Sequence, residues 1–111
     1  MRIGFVQFNP AFRAINRNLD HIVSIVDKAH ADLLVLPELC TTGYAFSSRA
    51  QVSEVAEEIP GGTACRVFRC LASRKKMHIV AGIAENKAGK VYNTAVLFGP
   101  GGISGIYRKL H

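Results

Sequence analysis

Tryptophan is absent from the 111 residues, cysteine occurs three times, and eight acidic residues face fourteen Lys and Arg. Each scarcity excludes something. Cys40, Cys65 and Cys70 are odd in number and lack the CxxC spacing of metal sites, which argues against a disulfide framework or a structural zinc and leaves reduced thiols as the expectation. No metal and no cofactor are expected. No apolar run approaches the length needed to cross a bilayer, and no tract is of low complexity. With 49% hydrophobic and 20% charged residues the composition is that of a folded globular chain. The shortage of acids leaves a net charge of +6, which raises nucleic acid as a partner. The basic residues are nevertheless spread along the chain, and their one cluster, Arg74 to Lys76, stands where a helix should end and complement its dipole. Neither a nucleic acid nor a membrane is expected as a partner. The opening MRIGFVQFNP has one Arg before an apolar run that Gln7 interrupts, a poor signal peptide and a good strand, so the expected compartment is the cytoplasm.

What is present alternates between two periods. RIGFVQF (2–8) reads as a strand stopped by Asn9 and Pro10. Ile15, Leu19, Ile22, Val23 and Val26 then recur at helical spacing, with Asn16 or Asn18 expected to cap the helix, which should run to about Ala31. DLLVL (32–36) is a near-continuous apolar run, as expected of a strand covered on both faces, and strand, helix, strand in that order makes a right-handed parallel crossover. A weak helical segment near 49–58 precedes a better one, which Thr63 should cap and in which Cys65 and Cys70 are expected to pack, Cys70 partly inward. HIVAGIAE, VYNTAVLFG and ISGIYRK, separated by NKAGK and PGG, predict three strands in an antiparallel meander. The fold class is therefore α/β, a mixed β-sheet with flanking helices. The helices are too few to cover five strands, so one sheet face or edge should be bare and apt to associate. A flavodoxin-like ligand-binding domain fits poorly, because no glycine-rich phosphate loop follows the first strand.

The chemistry-bearing residues gather at strand ends. Glu38 follows the second parallel strand, on the sheet edge where ligands collect, and burial there should raise its pKa toward that of a general base; capping a helix or pairing with an Arg is the structural alternative. Lys109 follows the last strand, either as a surface lysine or as a cation that stabilises an oxyanion. Cys40 tempts as a nucleophile, yet a nucleophilic thiol must lie within hydrogen-bond reach of its base beside oxyanion donors, and the pair is not expected to meet. His21, His30, His78 and His111 show no pairing as metal ligands, and His111 is expected to be solvent-exposed or hydrogen-bonded.

RIGFVQFNP, ADLLVLPELCTTGY, IPGG, HIVAGIAE, VYNTAVLFGPGG and YRKLH, in this order and spacing, resemble the amino-terminal half of the nitrilase superfamily of carbon-nitrogen hydrolases. LPEL with TGY, followed by YRKLH after a YNTA strand, is the specific combination. The resemblance implies half of a four-layer αββα sandwich, with residues 1–111 an incomplete domain. It implies that Glu38 is the general base and Lys109 the cation that stabilises the tetrahedral intermediate. Tyr44 and Phe46 are the side chains nearest to line the pocket. In that family the nucleophilic cysteine lies in a later segment resembling ICYD, and a supporting Glu also follows the lysine; Cys40, Cys65 and Cys70 do not match the nucleophile. Implied substrates of a full-length form are small amides, nitriles or carbamoyl compounds. Two readings stand: a carbon-nitrogen hydrolase inactive as this chain alone, or a non-catalytic half-domain that pairs with a complementary half or, as a homo-oligomer, with its own copy.

Overall fold

A computed structural model describes residues 1–109; the expectation for His111 falls outside them. The elements run β1 (Ile3–Phe5), α1 (Ile15–Lys28), β2 (Leu33–Val35), α2 (Arg49–Val55), α3 (Thr63–Lys75), β3 (His78–Lys87), β4 (Lys90–Gly99) and β5 (Gly102–Arg108). The strands form one sheet in sequence order. β1, β2 and β3 are parallel, with Phe5 opposite Val35 and Val35 opposite Val80, and β3, β4 and β5 are antiparallel. The mixed sheet read from the sequence is the sheet observed.

Alternation along each strand separates two faces. Ile79, Ala81 and Ile83 of β3 and Val96 and Phe98 of β4 are buried against Phe68, Leu71 and Ala72 of α3 and Leu19, Ile22 and Val26 of α1. The Phe68 and Phe98 rings meet at 5.4 Å. The opposite face carries Ile3, Phe5, Val35 and Tyr107, all exposed, with Val80, Ala95 and Leu97 half-buried between them. The apolar run of β2 is thus covered on one face only, and Val35 points to the open side. One helical layer on one sheet is half of an αββα sandwich. Among the described residues no helix is long and apolar enough to cross a membrane.

Three local expectations are corrected. Neither Asn16 nor Asn18 caps α1, whose N-terminus receives no side-chain bond. Asn18 is buried one turn in, where its Oδ1 accepts from Ala11 N and its Nδ2 donates to Ala11 O and Thr41 O, each at 2.8 Å. It thereby pairs backbone groups of the two loops that follow β1 and β2. Thr63 does not cap α3 either: Glu57, from outside the helix, accepts from Ala64 N and Cys65 N at 3.1 Å each. A carboxylate at the positive helix end supplants the hydroxyl, although burial pushes the Glu57 pKa up against those bonds. Cys70 is exposed rather than turned inward, since it lies about 140° round the helix from buried Cys65. The basic cluster does end α3, and Arg74 and Lys75 both reach back to Asp27 on α1, at 2.8 and 2.9 Å.

Candidate active site

The second parallel ladder ends where Leu36 N donates to Val80 O at 2.8 Å, because Pro37 has no N–H with which to continue it. The chain then folds across Gly82. Gly82 N donates to Pro37 O, and Cys40 N donates to Gly82 O at 3.0 Å. Leu39 adopts a left-handed backbone with φ of 48°, which turns Cys40 inward while leaving Glu38 on the open face. Gly43 N closes the turn on Leu39 O at 2.9 Å. Two residues that looked like a pair in LPELC are therefore sent to opposite sides.

Glu38 meets residues from the far end of the chain. Its Oε1 accepts from Asn93 Nδ2 at 2.7 Å and from Lys109 Nζ at 3.2 Å. Lys109 N donates to Asn93 O at 2.9 Å, so the ladder with β4 extends one residue past β5. These groups line a cavity of about 420 Å³ whose remaining walls are Leu36, Val80, Gly82, Ala95 and Tyr107. The burial expected to raise the Glu38 pKa is not there, since its side chain is 51% exposed. The Asn93 hydrogen bond, followed by Lys109, instead holds the carboxyl below the ordinary value of 4.5 and outweighs the small desolvation. At neutral pH the arrangement is a carboxylate beside an ammonium at the end of an apolar trough.

An ion pair on the other face orients the lysine. Glu85 is buried, accepting from Arg108 Nε and Nη2 and from Thr94 Oγ1, each at 2.8 Å. Arg108 also lies over the Tyr92 ring at 5.7 Å. Burial disfavours the charge on Glu85, but the bonds from Arg108 and Thr94 prevail and hold its pKa below normal. Because successive side chains alternate, anchoring Arg108 beneath the sheet directs Lys109 above it, toward Glu38. The sequence reading missed Asn93 and Glu85. For Asn93 the only signal was its place in YNTA; for Glu85 it was an acid ending an otherwise apolar strand.

The remaining candidates lie elsewhere. Phe46 packs edge-on against Phe12 at 5.0 Å and lines an adjoining recess that shares Asn93 with the Glu38 cavity. Tyr44 is exposed and lines neither space. Cys40 is fully buried, and burial pushes its thiol pKa up to about 12. Burial, with Glu57 alongside, does the same to Cys65, while Cys70 is on α3, across the sheet from the cavity. Among the described residues no group of three or more His, Cys, Asp or Glu could hold a metal ion.

Comparison with known proteins gives a consistent result. A family model described as carbon-nitrogen hydrolase matches residues 2–111. The chain is 38% identical over 114 residues to a nitrilase of Pyrococcus abyssi and 37% identical over 113 residues to a 2-oxoglutaramate amidase of Bacillus subtilis. These alignments cover 100% and 98% of the chain but 44% and 42% of the relatives, so it spans less than half their length. A CN-hydrolase superfamily protein of Xanthomonas campestris, solved with an arsenic adduct in its active site, superimposes with a TM-score of 0.86 at 26% identity, over 100% of this chain and 41% of its own.

Proposed function

The chain belongs to the carbon-nitrogen hydrolase family, and on that premise we propose that it supplies the base and the cation of an amidase-type active site whose nucleophile comes from outside these 111 residues. The observation that carries this reading is the meeting of Glu38 and Lys109, 71 positions apart in sequence, at 3.2 Å on the open sheet face. Glu38, ionised at neutral pH, takes the proton of an incoming cysteine thiol. The thiolate attacks the carbonyl carbon of a small amide, or the equivalent carbon of a nitrile or carbamoyl group. Lys109 stabilises the charge that develops on the tetrahedral intermediate. For the amide, Glu38 returns that proton to the departing amine and, a carboxylate again, activates the water that hydrolyses the thioester. Phe46, in the recess next to Asn93, is the better placed of the two aromatic candidates to touch substrate, since Tyr44 lines neither that recess nor the Glu38 cavity. No cofactor enters this scheme, and three unbridged cysteines support a reducing compartment such as the cytoplasm.

The test is amide hydrolysis by the pure 111-residue chain and by the same chain extended through a nucleophile-bearing segment. The short chain is expected to be inactive; the extended one should be active and should lose activity on Glu38→Gln or Lys109→Met. Cysteine-dependent hydrolysis by the short chain, abolished by Cys40→Ala, overturns the reading.

The open sheet face supports a second reading, in which the chain is a non-catalytic half-domain held by a complementary half or by its own copy. Exposed Ile3, Phe5, Val35 and Tyr107 favour association through that face. An isolated chain that sediments as a monomer, melts cooperatively and binds no hydrophobic dye contradicts it.

A further inference from the structure

We propose that Asn93 is a positioning residue that fixes which oxygen of Glu38 works as the base and holds Glu38 and Lys109 at a set separation. The proposal rests on the reading of Glu38 as a base given above and deepens it.

Asn93 touches both partners through different groups. Its side-chain Nδ2 donates to Glu38 Oε1 at 2.7 Å, and its backbone carbonyl accepts from Lys109 N at 2.9 Å. One residue of β4 therefore sets the position of a carboxylate delivered by the β2 turn and of an ammonium delivered by the end of β5. Lys109 Nζ converges on the same oxygen, Oε1. With both donors on Oε1, Oε2 is, among the described residues, the oxygen left for proton transfer. A carboxylate with one oxygen locked has its second oxygen in a fixed direction, as a base that meets a thiol at one point requires.

The residue type follows from these contacts. The carboxamide donates without carrying charge, so it orients the carboxylate and favours its ionised form while leaving Lys109, among the described residues, as the cation on it. An aspartate in the same volume would replace the donor by a repelling charge. Strand register explains how the role coexists with folding: Asn93 pairs with Ala84 and faces the cavity, whereas Thr94 pairs with Arg108 and faces the buried Glu85.

The experiment follows the Glu38 side-chain carboxyl by carbon NMR during a pH titration of the 111-residue chain. The signal is assigned by its loss in Glu38→Gln, and Asn93→Ala and Asn93→Asp are compared with the unaltered chain. Both variants keep the backbone carbonyl that holds Lys109. The Glu38 midpoint is expected to rise in Asn93→Ala, and further in Asn93→Asp. A folded Asn93→Ala chain that titrates like the unaltered one overturns the proposal. Should Asn93→Ala not fold, Asn93→Asp decides by the same measure, and loss of the fold in both assigns Asn93 to stability and overturns it as well. In the extended, active chain the acid limb of the kcat/KM profile should move up with the carboxyl midpoint. If that chain hydrolyses nothing, the proposed function fails, whereas the NMR titration still decides the role of Asn93.

Discussion

Glu38 rests on Gly82: a β-carbon added at position 82 would stand 2.6 Å from Glu38 Cα and 2.8 Å from Leu39 N, both backbone atoms that cannot rotate away. The glycine is required by this close approach, since the turn bearing the carboxylate lies directly on β3. Gly82→Ala should lift the turn, at a cost of about 1–3 kcal/mol typical of an overpacked interior, read as a lower urea midpoint. It should also separate Glu38 from Asn93 and Lys109 and return the carboxyl pKa toward 4.5. An alanine variant with an unchanged urea midpoint and an unchanged Glu38 titration contradicts this account of the turn.

The hydrogen bond from Lys109 ranks second to the Asn93 bond in lowering the pKa of Glu38, and the lysine's charge adds a smaller contribution. Lys109→Met should raise the Glu38 midpoint, and in an extended, active chain it should remove turnover at every pH rather than shift the profile alone. A group whose folded pKa is lowered stabilises the fold above its unfolded value, here near 4.5, and loses that contribution as pH falls through the folded value. Both side chains are half exposed, so the pair is worth at most about 1 kcal/mol. Removing the lysine is therefore expected to leave the thermal midpoint at neutral pH within about 4–8 °C of the original. A larger fall would assign Lys109 to the fold rather than to the site.

The sequence carried the fold because its periods are unambiguous where the strands are long. β3, β4 and β5 fall where HIVAGIAE, VYNTAVLFG and ISGIYRK predict them, and the parallel start follows from strand, helix, strand. Helix starts were legible less well. Local rules assign caps to nearby Asn and Thr, but a distant carboxylate, Glu57, holds α3, and Asn18 is occupied with loop backbone. Glu38 and Lys109 were legible as strand-end residues, and the motifs in which they sit marked them out. Their environment was not, because solvent reaches the open face and hydrogen bonds, rather than burial, set the charge of Glu38. Asn93 was illegible for a similar reason: its role depends on a register that brings β4 between two other segments.

The three thiols should differ sharply in reactivity. Cys40 and Cys65 are buried with pKa values pushed up to about 12, and Cys70 is exposed. A thiol reagent at pH 8 should label one cysteine, Cys70, in the folded chain and all three in denaturant. Cys40→Ala should cost about 1 kcal/mol, on the scale of a small buried group removed, and leave the hydrolytic rate of an extended chain unchanged. Rapid labelling of Cys40 in the native state would mean that the Leu39 turn does not hold the thiol inward.

Beneath the sheet, Glu85 couples stability to the direction of Lys109. Its pKa is low despite burial, so its ionised form stabilises the fold above the unfolded value near 4.5, and that stability disappears as pH falls through the lower folded value. Thr94→Val preserves shape but removes one of the three bonds that satisfy the carboxylate, at a cost of about 1–3 kcal/mol. Its effect should be smaller in a Glu85→Gln background, where no charge needs the hydroxyl, and a double-mutant cycle by urea unfolding measures the difference. Arg108→Leu should move the acid-unfolding midpoint upward, because Glu85 then loses the partner that offsets its burial. It should also free the backbone at the end of β5 and weaken the contact of Lys109 with Glu38, visible as a rise in the Glu38 midpoint. Additive effects of Thr94→Val and Glu85→Gln would show the two side chains to be energetically independent, and an unmoved Glu38 titration in Arg108→Leu would show that the lysine is directed by its own surroundings.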